Sequence, residues 1–407
     1  MASAQMVVPL RDIPEAAKRL EAHGGERNLR CEVDPSKPWL NFGLRFQAGY
    51  RLQAPLVQYS GAGHNWQIVL GVTPETAGAD PTYLADHVEL PSVPHPEYSW
   101  ESVGTFVLGE GRYRVAFAAV DDLGRVCRKE WTLDAAARPG SRAVKAAIPP
   151  NTVADLSYSE APASTPPGPP VPRRLTVLMN GSIPYTLQNW PSRQEGVVIP
   201  RDRQPEISAM AAYRAAMPSI LASLLESLPS TVIRLVVFDY DQQKETLRQD
   251  NFALKDIEKA AHAANNTEHW PVTVRELQEQ PGQWGLLANL IRREIAEKDP
   301  SDAVVFLGPR IAAPGNLPPH FLELENATQP RFLYLQYNLS REGVFVSVPP
   351  EMGNKPPDER LHPMFKPLGG PDPLDAIDLV VRSLKGKTWK VYSPAVLAKA
   401  IEALKHS

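Results

Sequence analysis

The feature that most constrains this chain is a proline-rich segment at residues 149–172, where eight of 24 positions are proline. Ser, Thr, Ala and Gly fill most of the remaining positions. Because proline lacks an N–H and fixes its backbone, such a segment favours extended polyproline II and continues neither a helix nor an inner strand. We therefore expect a semi-rigid linker over 138–172, which separates an N-terminal region from an α/β domain over 173–407.

Composition excludes several classes of protein. The chain has 407 residues, 43 Lys+Arg against 46 Asp+Glu, and 43% hydrophobic residues. This balance argues against a long disordered chain and against nucleic acid as a partner, since nucleic-acid binding needs a dense basic face. No apolar run approaches the ~20 residues of a transmembrane helix, so we expect no transmembrane segment.

The N-terminal region is predicted to hold a helical segment over 1–27 and an antiparallel β-sandwich over 28–137. Apolar residues alternate with polar ones over 39–46, 66–72 and 113–119, which is the period of a half-buried strand. A turn signal at 121–124 separates the last of these from a returning strand at 126–133. The hairpin GRYRV…DDLG resembles the last hairpin of immunoglobulin-like and fibronectin-like domains. That resemblance implies that Tyr113 is a corner tyrosine.

Two cysteines, Cys31 and Cys127, lie in apparent strands of this region. Export would permit a disulfide between them, and two buried thiols are the alternative. The opening residues Ala2-Ser3-Ala4 fit the small-x-small rule of a signal-peptidase site. We therefore expect a periplasmic or secreted protein whose signal peptide has been removed before Ala4-Gln5, with a cytoplasmic location as the alternative.

Beyond the linker, buried strands alternate with helices. Continuous apolar runs at 175–179, 232–238, 303–307 and 332–337 are typical of strands covered on both faces. Helical spacing of apolar residues follows at 217–228, 255–264 and 284–297, and two more helices are expected after Asp372 and Ser393. This alternation predicts a doubly wound, mostly parallel, Rossmann-like sheet.

The order of these elements resembles a von Willebrand factor A domain. The segments that carry the resemblance are 174–182 (RLTVLMNGS), 234–238 (RLVVF) and 303–308 (AVVFLG), within a match over 173–405. An immunoglobulin-like domain followed by such a domain also resembles bacterial proteins related to that fold.

The resemblance implies a metal-ion-dependent adhesion site, in which an Asp-x-Ser-x-Ser motif, a Thr and a second Asp hold Mg²⁺. The matching positions here are Asn180, Ser182 and Pro184, then Gln283 and Gly308. Of these residues only Ser182 is the one that the motif requires. A hard cation such as Mg²⁺ prefers anionic oxygen ligands, and none of the five positions supplies one. We therefore predict that the metal site is lost and that the chain has no cofactor. Asn180 and Ser182 would instead hydrogen-bond to neighbouring backbone.

The pair Asp239 and Asp241 offers an enzymatic alternative. Two carboxylates at the end of a buried strand are typical of a site that holds Mn²⁺ under a nucleotide diphosphate, so a metal-dependent glycosyl- or phosphoryl-transferase is the competing hypothesis. No glycine-rich phosphate loop or metal-binding histidine spacing accompanies the pair. We favour the interpretation that 239–243 is a solvated hairpin turn.

The remaining candidate is a protein-binding surface. Trp190, Arg193 and Arg201 lie in the long loop that follows the first strand of the α/β domain, and Arg310 follows the strand at 303–307. Trp and Arg are favoured at interface hot spots. We therefore predict a non-enzymatic interaction or scaffold protein that binds an unidentified protein partner.

Overall fold

A computed structural model describes residues 2–21, 27–59, 63–90, 99–137, 144–156, 172–182, 204–265, 281–313, 315–322, 330–337 and 374–405. The chain divides into two compact units, Met1–Ser157 and Tyr158–Ser407. The first unit contains two sheets of mainly antiparallel strands, and the second contains a mixed, mostly parallel sheet flanked by helices.

The N-terminal unit consists of strands and one α-helix among its described residues. These are β1 (Ala2–Ala4), β2 (Met6–Val7), α1 (Ile13–Glu21), β3 (Arg27–Asn28), β4 (Glu32–Leu40), β5 (Phe46–Pro55), β6 (His64–Pro74), β7 (Thr82–Leu90), β8 (Ser99–Leu108), β9 (Gly111–Asp121), β10 (Arg125–Ala135) and β11 (Val153–Ala154). One sheet has the order β1-β8-β5-β4, with β11 also on β8, and the other has the order β2-β7-β6-β9-β10-β3.

Both sheets contribute to one hydrophobic core. The alternating residues of β6 and β9 point into it, as the period of two predicts. The largest side chains from the two sheets are Tyr50 and Phe106 from the first, and Trp66, Tyr113 and Phe117 from the second. The hydroxyl of Tyr113 donates to the Gly109 carbonyl at 2.8 Å, four residues upstream. This is the hydrogen bond expected of a corner tyrosine.

Cys31 and Cys127 form a disulfide, with Cα atoms 6.2 Å apart. This separation lies within the usual range for disulfides. Cys31 immediately precedes β4 of one sheet, and Cys127 lies in β10 of the other. The bond therefore links the two sheets covalently.

Two details of the N-terminal unit differ from the sequence-based predictions. The strand expected over 39–46 is interrupted by a turn at 41–45 between the end of β4 and the start of β5, because the Asn41 side chain accepts a hydrogen bond from the Arg45 backbone and Leu44 adopts a positive φ of 55°. Residues 144–156, assigned to the linker, pack onto this unit instead. Ile148 is buried, and β11 pairs with β8.

Residues 2–4, expected to precede a cleavage point, form β1 and pair with Val103–Thr105 of β8. The adjacent Gln5 is buried and donates to the Tyr50 hydroxyl at 2.6 Å. In this chain the Ala-Ser-Ala stretch is therefore part of a sheet.

The described elements of the C-terminal unit alternate as the sequence predicts. They are β12 (Arg174–Asn180), α2 (Gln204–Ser227), β13 (Val232–Asp239), β14 (Lys244–Gln249), α3 (Ile257–Asn265), α4 (Pro281–Ala296), β15 (Ala303–Gly308), β16 (Arg331–Tyr337), α5 (Ala376–Ser383), β17 (Lys387–Val391) and α6 (Pro394–Lys405). The strand order is β14-β13-β12-β15-β16-β17, with β14 antiparallel and the other neighbours parallel.

One face of this sheet packs against α4 and α5 around a core that includes Leu178, Phe238, Phe306 and Tyr334. Two details differ from prediction. The N-cap of α5 is Asp375, which accepts from the Asp378 backbone, whereas the sequence suggested Asp372; that residue lies outside the described residues. The edge strand β17 was not predicted, because its Lys residues interrupt the apolar run.

Candidate functional site at the carboxyl edge of the parallel sheet

Polar side chains gather where the parallel strands of the C-terminal unit end. Asn180 ends β12, Asp239 ends β13, and Gln336 lies next to the last residue of β16. The carboxyl ends of parallel strands share one edge, which is where ligands usually bind in open α/β sheets. We call the following set the carboxyl-edge cluster: Asn180, Ser182, Asp239, Tyr240, Gln336 and Asp375.

The Ser182 hydroxyl is saturated with hydrogen bonds. It donates to Oδ1 of Asp239 at 3.1 Å and accepts from the backbone N–H of Tyr240 at 2.7 Å and of Asp241 at 3.3 Å. A hydroxyl has one donor and two acceptor positions, so all three are used. Ser182 therefore has no lone pair left to offer a cation in this arrangement.

Asp239 closes the turn that follows β13. Its Oδ1 also accepts from the backbone N–H of Asp241 and of Gln242, both at 3.0 Å. The side chain is buried, and Asp239 as a whole is only 2% exposed. The structure shows the predicted hairpin turn, with residues 241–243 partly exposed and Asp239 buried, because a carboxylate that accepts backbone hydrogen bonds can be buried.

Asn180 presents one satisfied and one unsatisfied group. Its Oδ1 accepts from the Ser182 backbone at 3.1 Å, so that the amide nitrogen Nδ2 points away from this loop. Nδ2 is buried, and no residue in the described part of the chain forms a hydrogen bond with it. On the neighbouring strand, a Cβ added to Gly308 would lie only 2.9 Å from the Asn180 Cβ. Glycine at this position therefore allows β15 to lie closer to the Asn180 side chain than a residue with a Cβ could.

Asp375 lies at the start of α5 and contacts β16. Its Oδ2 accepts from Gln336 Nε2 at 2.6 Å and from the Tyr334 hydroxyl at 3.3 Å, and its Oδ1 accepts from the Asp378 backbone at 3.1 Å. Burial, opposed by these hydrogen bonds, raises the pKa of Asp375 to about 6. The carboxyl group is thus close to half protonation in mildly acidic solution.

Tyr240 is almost fully buried, and among the described residues its hydroxyl has no hydrogen-bond partner. Burial raises the pKa of this phenol well above its ordinary value, and the nearby carboxylates of Asp241 and Asp375 raise it further. The hydroxyl therefore stays protonated and neutral.

The structure brings together part of the set predicted from sequence. Asn180, Ser182, Asp239 and Gly308 meet at the sheet edge, and Gln283 lies in the first turn of α4. Arg310 is exposed beyond β15. Pro184, Trp190, Arg193 and Arg201 lie outside the described residues.

The sequence analysis missed Tyr240, Gln336 and Asp375 as site residues. Gln336 offered a signal, since it is a polar residue near the end of an apolar strand. Asp375 offered another, since it stands directly before an amphipathic helix.

Within the described parts of the chain, no group of three or more His, Cys, Asp or Glu side chains is arranged to hold a metal ion. No helix among them is both long enough and apolar enough to cross a membrane.

Comparison with known proteins gives little further information. No family model matches the chain, and no curated protein matches it. Among solved structures, the chain is similar to the structural-genomics target SoR45 (TM-score 0.19, 13% identity, 30% of this chain and 95% of that one). It is also similar to the alkylpurine DNA glycosylase AlkC of Pseudomonas fluorescens (TM-score 0.18, 10% identity, 26% and 31%). A third similar structure is a β-glucosidase of Listeria innocua (TM-score 0.17, 17% identity, 26% and 16%). These TM-scores are too low to support an argument about fold or activity.

Proposed function

We propose that this chain is a non-enzymatic interaction or scaffold protein. In this proposal an immunoglobulin-like β-sandwich precedes a domain of the von Willebrand factor A type whose metal-ion-dependent adhesion site is lost. The strand order of the C-terminal unit, with one antiparallel edge strand, is compatible with such a doubly wound domain.

The observation that carries the proposal is the saturation of the Ser182 hydroxyl. Its hydrogen bonds hold the loop after β12 to the turn after β13. The hydroxyl is therefore used within the protein and is not available to ligate a cation. Asn180 stands where the resemblance requires a carboxylate, and its amide supplies no anionic charge. Dehydration of Mg²⁺ then has too little compensation.

Export is part of the proposal, and the Cys31–Cys127 disulfide supports it. Disulfides persist mainly in oxidising compartments. The partner is proposed to be a protein, by analogy with adhesive domains, and fold-level analogy is the only ground for this step.

The test is a cation titration of the full chain after treatment with a chelator. We expect that neither Mg²⁺ nor Mn²⁺ raises the melting temperature, because a ligand stabilises a fold only when it binds the folded state. A saturable rise that disappears in Asp239→Asn would overturn the proposal.

A second measurement addresses the transferase hypothesis directly. Incubation with Mn²⁺ and a panel of nucleotide sugars is expected to release no nucleoside diphosphate. Release that requires Mn²⁺ and is lost in Asp239→Asn would establish the transferase instead.

A further inference from the structure

One buried hydroxyl of the C-terminal unit faces two hydrogen-bond acceptors. The Tyr334 hydroxyl donates to the Pro309 carbonyl at 2.8 Å, and it also lies 3.3 Å from Oδ2 of Asp375. A tyrosine hydroxyl has a single proton to donate, and a carbonyl group only accepts. The hydroxyl therefore cannot form a full hydrogen bond with the Pro309 carbonyl and with an ionised Asp375 at the same time.

All three groups belong to buried residues. Tyr334 is 0% exposed, Asp375 is 7% exposed, and Pro309 is buried as well. A buried acceptor without a donor costs free energy, so the competition for the Tyr334 proton is unfavourable while Asp375 is ionised. A second proton removes this conflict, because a protonated Asp375 donates to the Tyr334 oxygen and the hydroxyl then donates to Pro309. The geometry thus favours the protonated carboxyl group, in agreement with the raised pKa of Asp375.

The Pro309 carbonyl belongs to the segment 309–313, which follows β15. The backbone N–H of Ala313 donates to the Leu374 carbonyl at 2.7 Å, just before α5, so the far end of this segment is attached there. The bond from Tyr334 attaches the near end to β16. A change in the Tyr334 bond therefore acts on a segment that leaves the carboxyl edge of the sheet.

We propose that Asp375 and Tyr334 form a proton-dependent switch on the segment 309–313. While Asp375 is protonated, the Tyr334 hydroxyl donates to the Pro309 carbonyl and holds the segment to β16. When Asp375 releases its proton to solvent, the hydroxyl rotates towards the carboxylate and the Pro309 carbonyl loses its donor. The segment is then held more loosely as pH rises. The switch goes beyond the proposed function, because it requires neither a protein partner nor a metal.

The ionisable groups that face Asp375 come from three places in the described parts of the chain. Tyr334 lies on β16, Tyr240 follows β13, and Asp378 lies on α5. Burial raises the pKa of both phenols well above the ordinary value, so neither ionises in neutral or mildly acidic solution. Asp378 is paired with Arg382 at 2.8 Å. Asp375, whose pKa burial raises to about 6, is thus the group assigned to the titration.

The experiment follows the Pro309 carbonyl by NMR spectroscopy of the full chain. Labelling of the proline carbonyl carbon and the arginine amide nitrogen selects the Pro–Arg junctions, which are 172–173, 200–201, 309–310 and 330–331. The Pro309 signal, assigned by its loss in Pro309→Ala, should shift along one titration curve with a midpoint near pH 6. The Pro172 carbonyl, which accepts from the Thr231 hydroxyl at 2.8 Å, is the internal control and should not shift.

Two variants separate the parts of the switch. Asp375→Asn, whose amide can donate to Tyr334 at every pH, should keep the Pro309 signal at its acid position. Tyr334→Phe removes the shared proton, so the Pro309 signal should stay at the position of a carbonyl without a donor. Hydrogen-exchange protection of the Ala313 amide, corrected for the intrinsic exchange rate, should fall about threefold to tenfold between about pH 5 and about pH 7.5 in the wild type. It should stay constant in both variants.

Three results would each overturn the proposal. The first is a Pro309 signal that does not titrate in the wild type. The second is a titration that persists in Asp375→Asn, since it would belong to another group. The third is an unchanged protection of Ala313, since the Tyr334 bond would then not hold the segment. None of these measurements involves a cation or a nucleotide sugar, so the switch and the proposed function fail separately.

Discussion

The hydroxyl of Ser182 donates a 3.1 Å hydrogen bond to Oδ1 of Asp239, and this bond joins the ends of two adjacent parallel strands. The same hydroxyl accepts from two backbone N–H groups of the turn after β13. One small side chain therefore organises the carboxyl edge, and its removal should be measurable as a loss of stability.

Ser182→Ala should lower the free energy of unfolding of the C-terminal unit by about 1–3 kcal/mol, because it leaves the buried backbone N–H of Tyr240 without its acceptor. Urea denaturation followed by tryptophan fluorescence measures this change. The exposed Ser99 of β8 provides the control. Its replacement by alanine should change stability by less than about 0.5 kcal/mol. Equal effects of the two substitutions would contradict the role given to Ser182.

Reduction of the Cys31–Cys127 disulfide should destabilise the N-terminal unit. The cysteines are 96 residues apart in sequence. In the chain-entropy description a loop of that length contributes about 4.7 kcal/mol, by restricting the unfolded chain. A reductant should lower the melting temperature of this unit in the wild type and have no effect on Cys31→Ala/Cys127→Ala. A melting temperature insensitive to reductant in both proteins would contradict the expectation.

Asp375 should make the stability of the C-terminal unit fall as pH rises. Burial raises its pKa to about 6 in the folded protein, above the ordinary value of 3.8. The folded state therefore binds this proton more tightly than the unfolded state. The resulting stabilisation is complete below the unfolded pKa and is lost as pH rises through the folded one, with a magnitude on the order of 2–3 kcal/mol.

The variant Asp375→Asn keeps a capping side chain for α5 and cannot titrate. Urea midpoints of wild type and variant, measured between about pH 4 and pH 8, isolate the contribution of this one group. The wild type should lose stability relative to the variant as the pH rises from about 4 to about 6, with little further change above about pH 7. A constant difference between the two proteins would mean that the Asp375 pKa is not raised.

The sequence predicted the elements better than it predicted the site, and particular residues show why. Apolar residues alternate up to Val72 and run continuously up to Met179. Such patterns depend only on whether one face or both faces of a strand are buried, and both segments form strands with buried residues where expected. At 41–45 the same reasoning failed, because a local hydrogen bond from the Arg45 backbone to the Asn41 side chain forms a turn.

In the candidate site, too, some residues could be identified from the sequence and others could not. Asn180, Ser182 and Gly308 were identifiable, since the ends of parallel strands converge at one edge. The importance of Tyr240 and Asp375 could not be predicted, because it arises from contacts between distant segments. Asp375, for example, meets Tyr334 and Gln336, about 40 residues earlier in the chain. A local sequence pattern cannot predict a contact between residues that lie about 40 positions apart.

A buried ion cluster at the opposite end of the strands provides the last prediction. Glu294 of α4 is fully buried and accepts from Arg248 at 2.6 Å, from Arg234 at 3.1 Å and from the Thr176 hydroxyl at 2.7 Å. These partners come from β14, β13 and β12, so one carboxylate attaches the helix to three adjacent strands. Glu294→Ala should cost about 1–3 kcal/mol of unfolding free energy, because it removes the buried acceptor shared by both guanidinium groups, while Arg234 keeps Asp250 and Arg248 keeps Glu245 as counter-charges.

Glu297, the residue after the end of α4, gives a nearby control. Its carboxylate lies 3.5 Å from the Arg234 guanidinium but its side chain is 30% exposed. Water can replace that interaction, so Glu297→Ala should cost less than about 1 kcal/mol. Denaturant midpoints of both variants give the comparison. If the two substitutions cost the same, the buried cluster does not hold α4 to the sheet. In that case the apolar contacts of α4, which include Leu287 and Ile291, are sufficient for its attachment.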